Sequence, residues 1–265
     1  MDLRKITQQA CKIAIETGEF LRNEIRRIRS ADIEQKSFNN FVTYVDRESE
    51  ARIMDRLGRL LPGSGFIAEE SPGLKGAEFT WVIDPLDGTT NYIHGVPLYS
   101  VSIGLMKVNE IIAGVVYEVN LDECFYTWEN AASYKNSEVI NVSGTQKTAD
   151  SLFATGFPYH DYGRMEAYLD IFRHLMQHSR GVRRLGSAAA DLAYVAAGRF
   201  DGFYEYGLSP WDVAAGVLLV KNAGGRISDF SGGDNYIFGK EIIATNYPLH
   251  DAFLDLFRSW KNASV

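Results

Sequence analysis

Cysteine is almost missing from this chain of 265 residues. Cys11 and Cys124, the two present, are too few and too far apart in sequence for a disulfide framework or a zinc site. Cys11 lies in a helical pattern, and buried free thiol is the expected state. Long apolar runs are missing too: none approaches the roughly 20 residues of a membrane span. Met1-Asp2-Leu3-Arg4-Lys5 lacks the apolar core of a secretion signal. Asn141-Val142-Ser143 and Asn262-Ala263-Ser264 match the glycosylation sequon and, without such a signal, read as chance. The expectation is a cytoplasmic protein with no membrane contact. Positive charge is in deficit, with 27 Lys and Arg against 34 Asp and Glu and a net charge of −7. That balance excludes a nucleic-acid surface driven by bulk charge. Basic residues cluster only at 22–29 and 180–184.

What is present is ordinary for a globular chain: 46% hydrophobic and 23% charged residues, enough for a sizeable core. Residues 3–29 carry a helical stripe, and a second helix fits 48–60, ended by Leu61-Pro62-Gly63. Residues 65–68 and 79–83 read as buried strands with acids at their ends. Residues 42–46 alternate like a strand that ends in Asp46. Antiparallel strands follow at 101–106, 111–117 and 123–128. Beyond residue 145 the pattern gives strands at 151–155, 200–204, 226–229 and 242–244, with helices at 165–177, 187–197, 210–222 and 249–260. The order implies layered α and β structure in two packed halves, 1–145 and 146–265. Most of the acids of interest lie in the first half, and Asp212 lies in the second.

Asp84-Pro85-Leu86-Asp87-Gly88-Thr89-Thr90-Asn91 is the densest chemical signal. Two carboxylates three residues apart follow the apolar run Trp81-Val82-Ile83. Oxygen-only donors suit a hard cation such as Mg²⁺, which sits on a few carboxylates, waters and substrate phosphate. Gly88 followed by Thr89 lets backbone N–H groups approach an anion closely. The pair Glu69-Glu70 by itself reads as a solvated turn. Ser209-Pro210-Trp211-Asp212 opens a helix, with Ser209 as N-cap and Pro210 at the first helical position. Asp212 then falls in the first turn, either as a capping carboxylate or as a further metal ligand. Lys36, otherwise a surface charge, and Asp46, otherwise a cap for the following helix, complete the candidate set.

Together these segments resemble the inositol monophosphatase family over nearly the whole chain. The resemblance rests on Lys36 and Val42-Thr43-Tyr44-Val45-Asp46, on Ile67-Ala68-Glu69-Glu70-Ser71, and on residues 81–92. Further along it rests on Gly186-Ser187-Ala188-Ala189, Tyr204-Glu205, and Trp211-Asp212-Val213-Ala214-Ala215-Gly216 with Ala223-Gly224-Gly225. It implies an αβαβα sandwich of the inositol monophosphatase and fructose-1,6-bisphosphatase type. It also implies a homodimer that hydrolyses phosphate monoesters with two or three Mg²⁺ ions and is sensitive to Li⁺. By motif, Glu69, Asp84 and the Leu86 carbonyl would hold one metal, and Asp84, Asp87 and Asp212 a second. Glu69 would also touch a third, with Glu70 acting through water. Gly88 and Thr89 N–H groups would receive the phosphate. Glu205, the Ala188 N–H, Asp87 and Asp212 would face the substrate. Thr89, hydrogen-bonded to Asp46, would orient a metal-activated water for in-line attack without a covalent intermediate.

Asn39-Asn40 stand where many relatives carry an acid, which implies a weaker third metal. Gly156-Phe157-Pro158-Tyr159-His160 shows no anion-binding signal, and His94 is given no role. Asp87-Gly88-Thr89-Thr90-Asn91 favours inositol-1-phosphate over 3′-phosphoadenosine nucleotides, whose phosphatases tend to continue with Lys-Glu. Fructose-1,6-bisphosphate and NADP stay open as alternatives. A reading of another class is an additional contact with transcription or RNA factors through Arg180-Gly181-Val182-Arg183-Arg184, a run that otherwise reads as a solvated loop.

Overall fold

The computed structural model describes residues 1–28, 33–37, 40–74, 76, 78–157 and 162–257. Near the N-terminus, β1 (Ile33–Ser37) and β2 (Asn40–Thr43) form an antiparallel hairpin. Seven strands then build the larger sheet: β3 (Gly65–Ala68), β4 (Phe79–Asp87), β5 (Ser100–Lys107), β6 (Glu110–Glu118), β7 (Glu123–Trp128), β8 (Ser133–Lys135) and β9 (Glu138–Ile140). They are hydrogen-bonded in that sequence, and only the β3–β4 pair is parallel. The smaller sheet contains β10 (Leu152–Thr155), β11 (Gly181–Arg183), β12 (Gly202–Tyr206), β13 (Gly225–Ser228) and β14 (Glu241–Asn246), in the order β11-β10-β12-β14-β13.

Helices fill three layers around these sheets. On one face of the larger sheet, α1 (Leu3–Glu24) and α2 (Tyr44–Leu60) pack Ala10, Ala14, Leu21, Ile53 and Leu57 onto Trp81, Ile83, Val101 and Ile103. Between the sheets lie α5 (Ala188–Ala196) and α6 (Pro210–Asn222), where Leu192, Val217 and Leu219 join Val116 and Phe125 to Ala154, Phe203 and Ala244. On the outer face, α4 (Met165–His178) and α7 (His250–Asp255) set Tyr168, Ile171, Leu175 and Phe253 on Phe153, Tyr204 and Ile243. The adjacent pairs Phe153/Ala154, Phe203/Tyr204 and Ile243/Ala244 each divide between two cores, as a pleated strand buried on both faces requires. The order of layers is α-β-α-β-α. Among the described residues no helix is long and apolar enough to cross a membrane.

The central layer sits very close to the larger sheet. A Cβ added at Gly114 on β6 would fall 2.6 Å from the Ala215 carbonyl oxygen on α6. Gly114→Val is therefore expected to cost about 2–3 kcal/mol through overpacking. Chemical denaturation checks this, and an unchanged midpoint would contradict the close approach.

Several boundaries differ from the sequence patterns. The first helix ends at Glu24 rather than near residue 29. The strand read over 42–46 stops at Thr43, because a capping box there starts α2 four residues early and puts Asp46 in its first turn. The strand read over 79–83 continues to Asp87, and α7 ends at Asp255. The run 180–184 is not simply a solvated loop, since Gly181–Arg183 forms the edge strand β11. Cys11 and Cys124, 113 residues apart in sequence, lie in one core cluster as free thiols. The neighbouring Cys124 thiol and burial together push the Cys11 pKa well above its ordinary value.

Candidate active site

The two acids of the central motif owe their placement to an irregularity in β4. The β4–β5 register runs Asp84↔Ser102 and then Asp87↔Ser100, so three steps on β4 oppose two on β5. That is a bulge, and it contains Pro85, which has no N–H to give the ladder. Inside it the Leu86 N–H donates to Asp84 Oδ1 at 2.9 Å. Gly88 follows with φ +101°, a left-handed conformation, and a Cβ there would lie 3.1 Å from the Gly186 carbonyl oxygen. The chain turns at once into α3 (Thr89–His94), a six-residue helix.

Asp212 arrives from the opposite side, in the first turn of α6, where its Oδ2 accepts the Ser209 N–H at 2.7 Å. The Ser102 hydroxyl donates to the Trp211 carbonyl at 3.0 Å, tying this helix start to the strand beside Asp84. Asp84, Asp87 and Asp212 each present an oxygen, and these lie within 4.8 Å of one another. They line a cavity of about 190 Å³ with Glu69, which follows β3, and with Leu86, Gly88 and Thr89.

Electrostatically the cluster is in conflict with itself. Burial, then Glu69, Asp87 and Asp212, push the Asp84 pKa well above the usual carboxylate range. Burial raises Asp87 to about 6, although the Ser187 hydroxyl and the Ala189 N–H, both donating at 2.7 Å, and the Ala188 N–H oppose the rise. Burial and the neighbouring Asp87 lift Asp212 to about 7. No Lys, Arg or His lines this cavity among the described residues. Four carboxylates with oxygen donors only and no basic side chain among them fit a hard divalent cation.

Asp46 is buried behind Thr89, which lines the cavity. Its Oδ2 accepts the Thr43 N–H at 2.8 Å and the Thr43 hydroxyl at 2.6 Å, while its Oδ1 lies 3.2 Å from Thr89 Oγ1. Thr89 Oγ1 is also 3.1 Å from the Leu86 carbonyl oxygen. Burial raises the Asp46 pKa, and the Thr43 and Thr89 donors pull it back. Glu70 is held through its backbone: its N–H donates to Glu50 Oε2 at 2.8 Å, and the Ser71 hydroxyl donates to the other oxygen of the same buried carboxylate. Lys36 falls on β1, its side chain outside the described part of the structure, and Asn39 lies outside the described residues. His94 is exposed at the end of α3.

A second cavity of about 100 Å³ opens next to the first and shares Asp87, Gly186, Gly207 and Asp212 with it. Glu205 on β12 and Ala188 line it, together with Gly156, Phe157 and Arg184. Glu205 is buried, and a Cβ at Gly156 would land 2.0 Å from its carboxylate. Burial, then Asp212 and Asp87, push the Glu205 pKa well up, and Arg184 acts the other way. Asp191 on α5 is buried beside them with no hydrogen-bond partner for Oδ1.

The structure therefore brings together Glu69, Asp84, Leu86, Asp87, Gly88, Thr89, Asp212, Ala188 and Glu205, with Asp46 bonded to Thr89. Sequence reasoning missed Glu50, Ser187, Asp191, Arg184 and the Gly156–Phe157 wall. Ser187 had a signal as an N-cap before a small-residue helix. The others had none that spacing reveals.

A layered fold with an acidic, oxygen-lined cleft between its sheets defines the class to which this chain belongs. It is a member of the inositol monophosphatase family, whose model matches residues 2–261. The chain is 40% identical to an inositol-1-monophosphatase of Mesorhizobium japonicum, covering 91% of each chain. It is 40% identical to Nus factor SuhB of Escherichia coli over 89% of this chain and 90% of that one. Among solved structures, the extragenic suppressor protein suhB from Bartonella henselae superposes with a TM-score of 0.90 at 35% identity, covering 97% and 99% of the two chains. An inositol monophosphatase from Anabaena gives 0.87 at 36%, covering 98% and 97%.

Proposed function

We infer that the chain is a Mg²⁺-dependent phosphatase that hydrolyses inositol-1-phosphate to inositol and phosphate by direct attack of water. The observation that carries this reading is the convergence of Asp84, Asp87 and Asp212 oxygens within 4.8 Å in a cavity that no basic side chain lines among the described residues. Glu69, Asp84 and the Leu86 carbonyl would hold one Mg²⁺, and Asp84, Asp87 and Asp212 another. Bound there, the ions would neutralise the phosphate, acidify the attacking water and stabilise the leaving alkoxide.

The chain's own groups do the positioning. Thr89 has one hydroxyl proton and two acceptors within 3.2 Å, the Asp46 carboxylate and the Leu86 carbonyl. That proton is committed to one of them, so a lone pair faces the cavity to receive the O–H of the attacking water. Asp46 is fixed by Thr43 on its other oxygen, which keeps Thr89 from rotating. Backbone N–H groups of Gly88 and Thr89 take the phosphate. Glu205 and the Ala188 segment face the polyol from the smaller cavity. Glu50 holds the Glu70–Ser71 turn, and with it the position of Glu69.

Thr89→Ala is expected to lower kcat by roughly a hundredfold with little change in KM. A rise confined to KM would make Thr89 a substrate contact instead. The substrate itself is tested by phosphate release at saturating Mg²⁺ from inositol-1-phosphate, fructose-1,6-bisphosphate, NADP and 3′-phosphoadenosine-5′-phosphate. A preference for inositol-1-phosphate supports the assignment, and a preference for another ester replaces it on the same site. An additional contact with transcription factors draws support from relatives named Nus factor SuhB. Retention of such a partner by a catalytically dead Asp84→Asn protein would separate the two roles.

A further inference from the structure

His174 and His178 stand four residues apart at the C-terminal end of α4, and His178 is its last residue. Both are exposed, on the outer helical layer and away from the acid cluster between the sheets. Residues at this spacing share a helix face, so their side chains are neighbours. The two imidazole rings lie nearly parallel, with centroids 4.3 Å apart and 21° between their planes. Two nitrogens bound at about 2.0–2.1 Å to one tetrahedral ion are roughly 3.4 Å apart, so a modest tilt of the rings brings a lone pair from each onto one cation. Asp170, one turn earlier, is paired with Arg173, which leaves the imidazoles as the donor set at this end of the helix.

The backbone prepares one of the two rings for a metal. His178 Nδ1 lies 2.8 Å from the His174 carbonyl oxygen. A carbonyl only accepts, so Nδ1 carries the proton and donates, and Nε2 of the neutral ring keeps its lone pair. A ring N–H given to a backbone carbonyl is the arrangement that orients metal-ligating histidines. Desolvation, then the neighbouring His178, pushes the His174 pKa below its ordinary value, which favours the neutral ring that a metal requires. The negative end of the helix dipole also lies here and favours a cation. We propose that His174 and His178 chelate one divalent transition-metal ion that prefers nitrogen ligands, such as Ni²⁺, Cu²⁺ or Zn²⁺, with water in its remaining positions. Its donors differ in kind from the carboxylates of the cleft, which suit Mg²⁺. A bound ion clips residues 174 and 178 together and holds the end of α4, from which the chain passes through Ser179 and Arg180 into β11.

Calorimetric titration of the untagged full-length protein with Ni²⁺, in saturating Mg²⁺ to occupy the acid cluster, tests the site. Wild type is expected to bind one Ni²⁺ per chain. His174→Gln and His178→Gln, both at exposed positions, should each weaken that binding by at least about tenfold, since removing even a partner of a ligand costs that much. His94→Gln, at an exposed histidine on α3, should change it by less than about threefold, below the step of one lost ligand. Ni²⁺ at a hundred times its Kd should raise the Tm of wild type by roughly 5 °C, and that of the double variant by much less. Absence of saturable Ni²⁺ binding, or equal affinity in wild type and the double variant, overturns the site. Binding that survives in the double variant and is lost in Asp84→Asn would place the ion in the cleft and overturn it equally. The phosphatase reading stands or falls separately, because no arm of this experiment measures phosphate release.

Discussion

Asp84→Asn is expected to lose roughly a hundred- to a thousandfold or more in kcat/KM, while the metal-free protein folds at least as stably as before. Both halves of that result follow from one geometry. Asp84 is 2% exposed, and its oxygens are shared between the two proposed metal positions. Losing its charge weakens both positions at once. Yet in the metal-free fold the same charge is unfavourable, since burial and three neighbouring acids all oppose ionisation. An amide keeps a carbonyl oxygen for the Leu86 N–H, so the bulge survives. Thermal denaturation with and without Mg²⁺ separates the effects. Wild type should gain roughly 5 °C or more when the metal is well above its dissociation constant, and the variant should gain little. Activity with an unaltered Mg²⁺ response in Asp84→Asn would remove the residue from the metal centre.

The second large effect is an inverted pH dependence of the metal-free protein. Asp87 and Asp212 ionise at about 6 and about 7 in the fold, above the usual carboxylate value of 3.8. Between that usual value and about 7 the folded chain therefore holds protons that the unfolded chain has released. Stability falls as pH rises wherever the native state binds more protons, so these groups destabilise the metal-free fold progressively across this window. Below the window both states are protonated and the penalty vanishes, and above it the penalty is complete. Chelator-treated wild type should lose more stability between about pH 5 and pH 8 than Asp212→Asn does, because the variant lacks one of the titrating groups. Mg²⁺ requires the ionised acids, so its stabilising effect should be larger at the upper end. A wild type and variant with parallel pH profiles would contradict this account of the cluster.

Much of this site was legible because its chemistry is concentrated in short runs. Asp84 to Asn91 carries two acids, a glycine and two hydroxyls in eight residues. Ser209-Pro210 announces the helix start that holds Asp212, and the structure shows that start in place. The layered fold was likewise readable from strands and helices long enough to show a period. What stayed hidden was set by long-range contact. Glu50 reaches residues 70 and 71 across 20 and 21 positions, and Ser187 reaches Asp87 across 100. No local pattern encodes either meeting. Arg184 looked like one member of a basic run, and only the turn at Gly186 delivers it to the cleft. β8, β9 and β11, at three residues each, are too short for alternation to mark them. Asp46 stood in the sequence both at the end of a strand-like run and as a cap for the following helix, and the structure takes the second. A Thr-x-x-Asp capping box overrides the alternation of that run and turns the chain into a helix.

Everything proposed for the cleft depends on a divalent cation acting with the acid cluster on a phosphate ester. The most direct test is inorganic phosphate release from inositol-1-phosphate by chelator-treated protein as Mg²⁺ is titrated from none to saturation. The account predicts no release above background without the metal and a saturable rise with it, absent in Asp84→Asn. Release that persists in excess chelator, or none at any Mg²⁺ concentration, would contradict it.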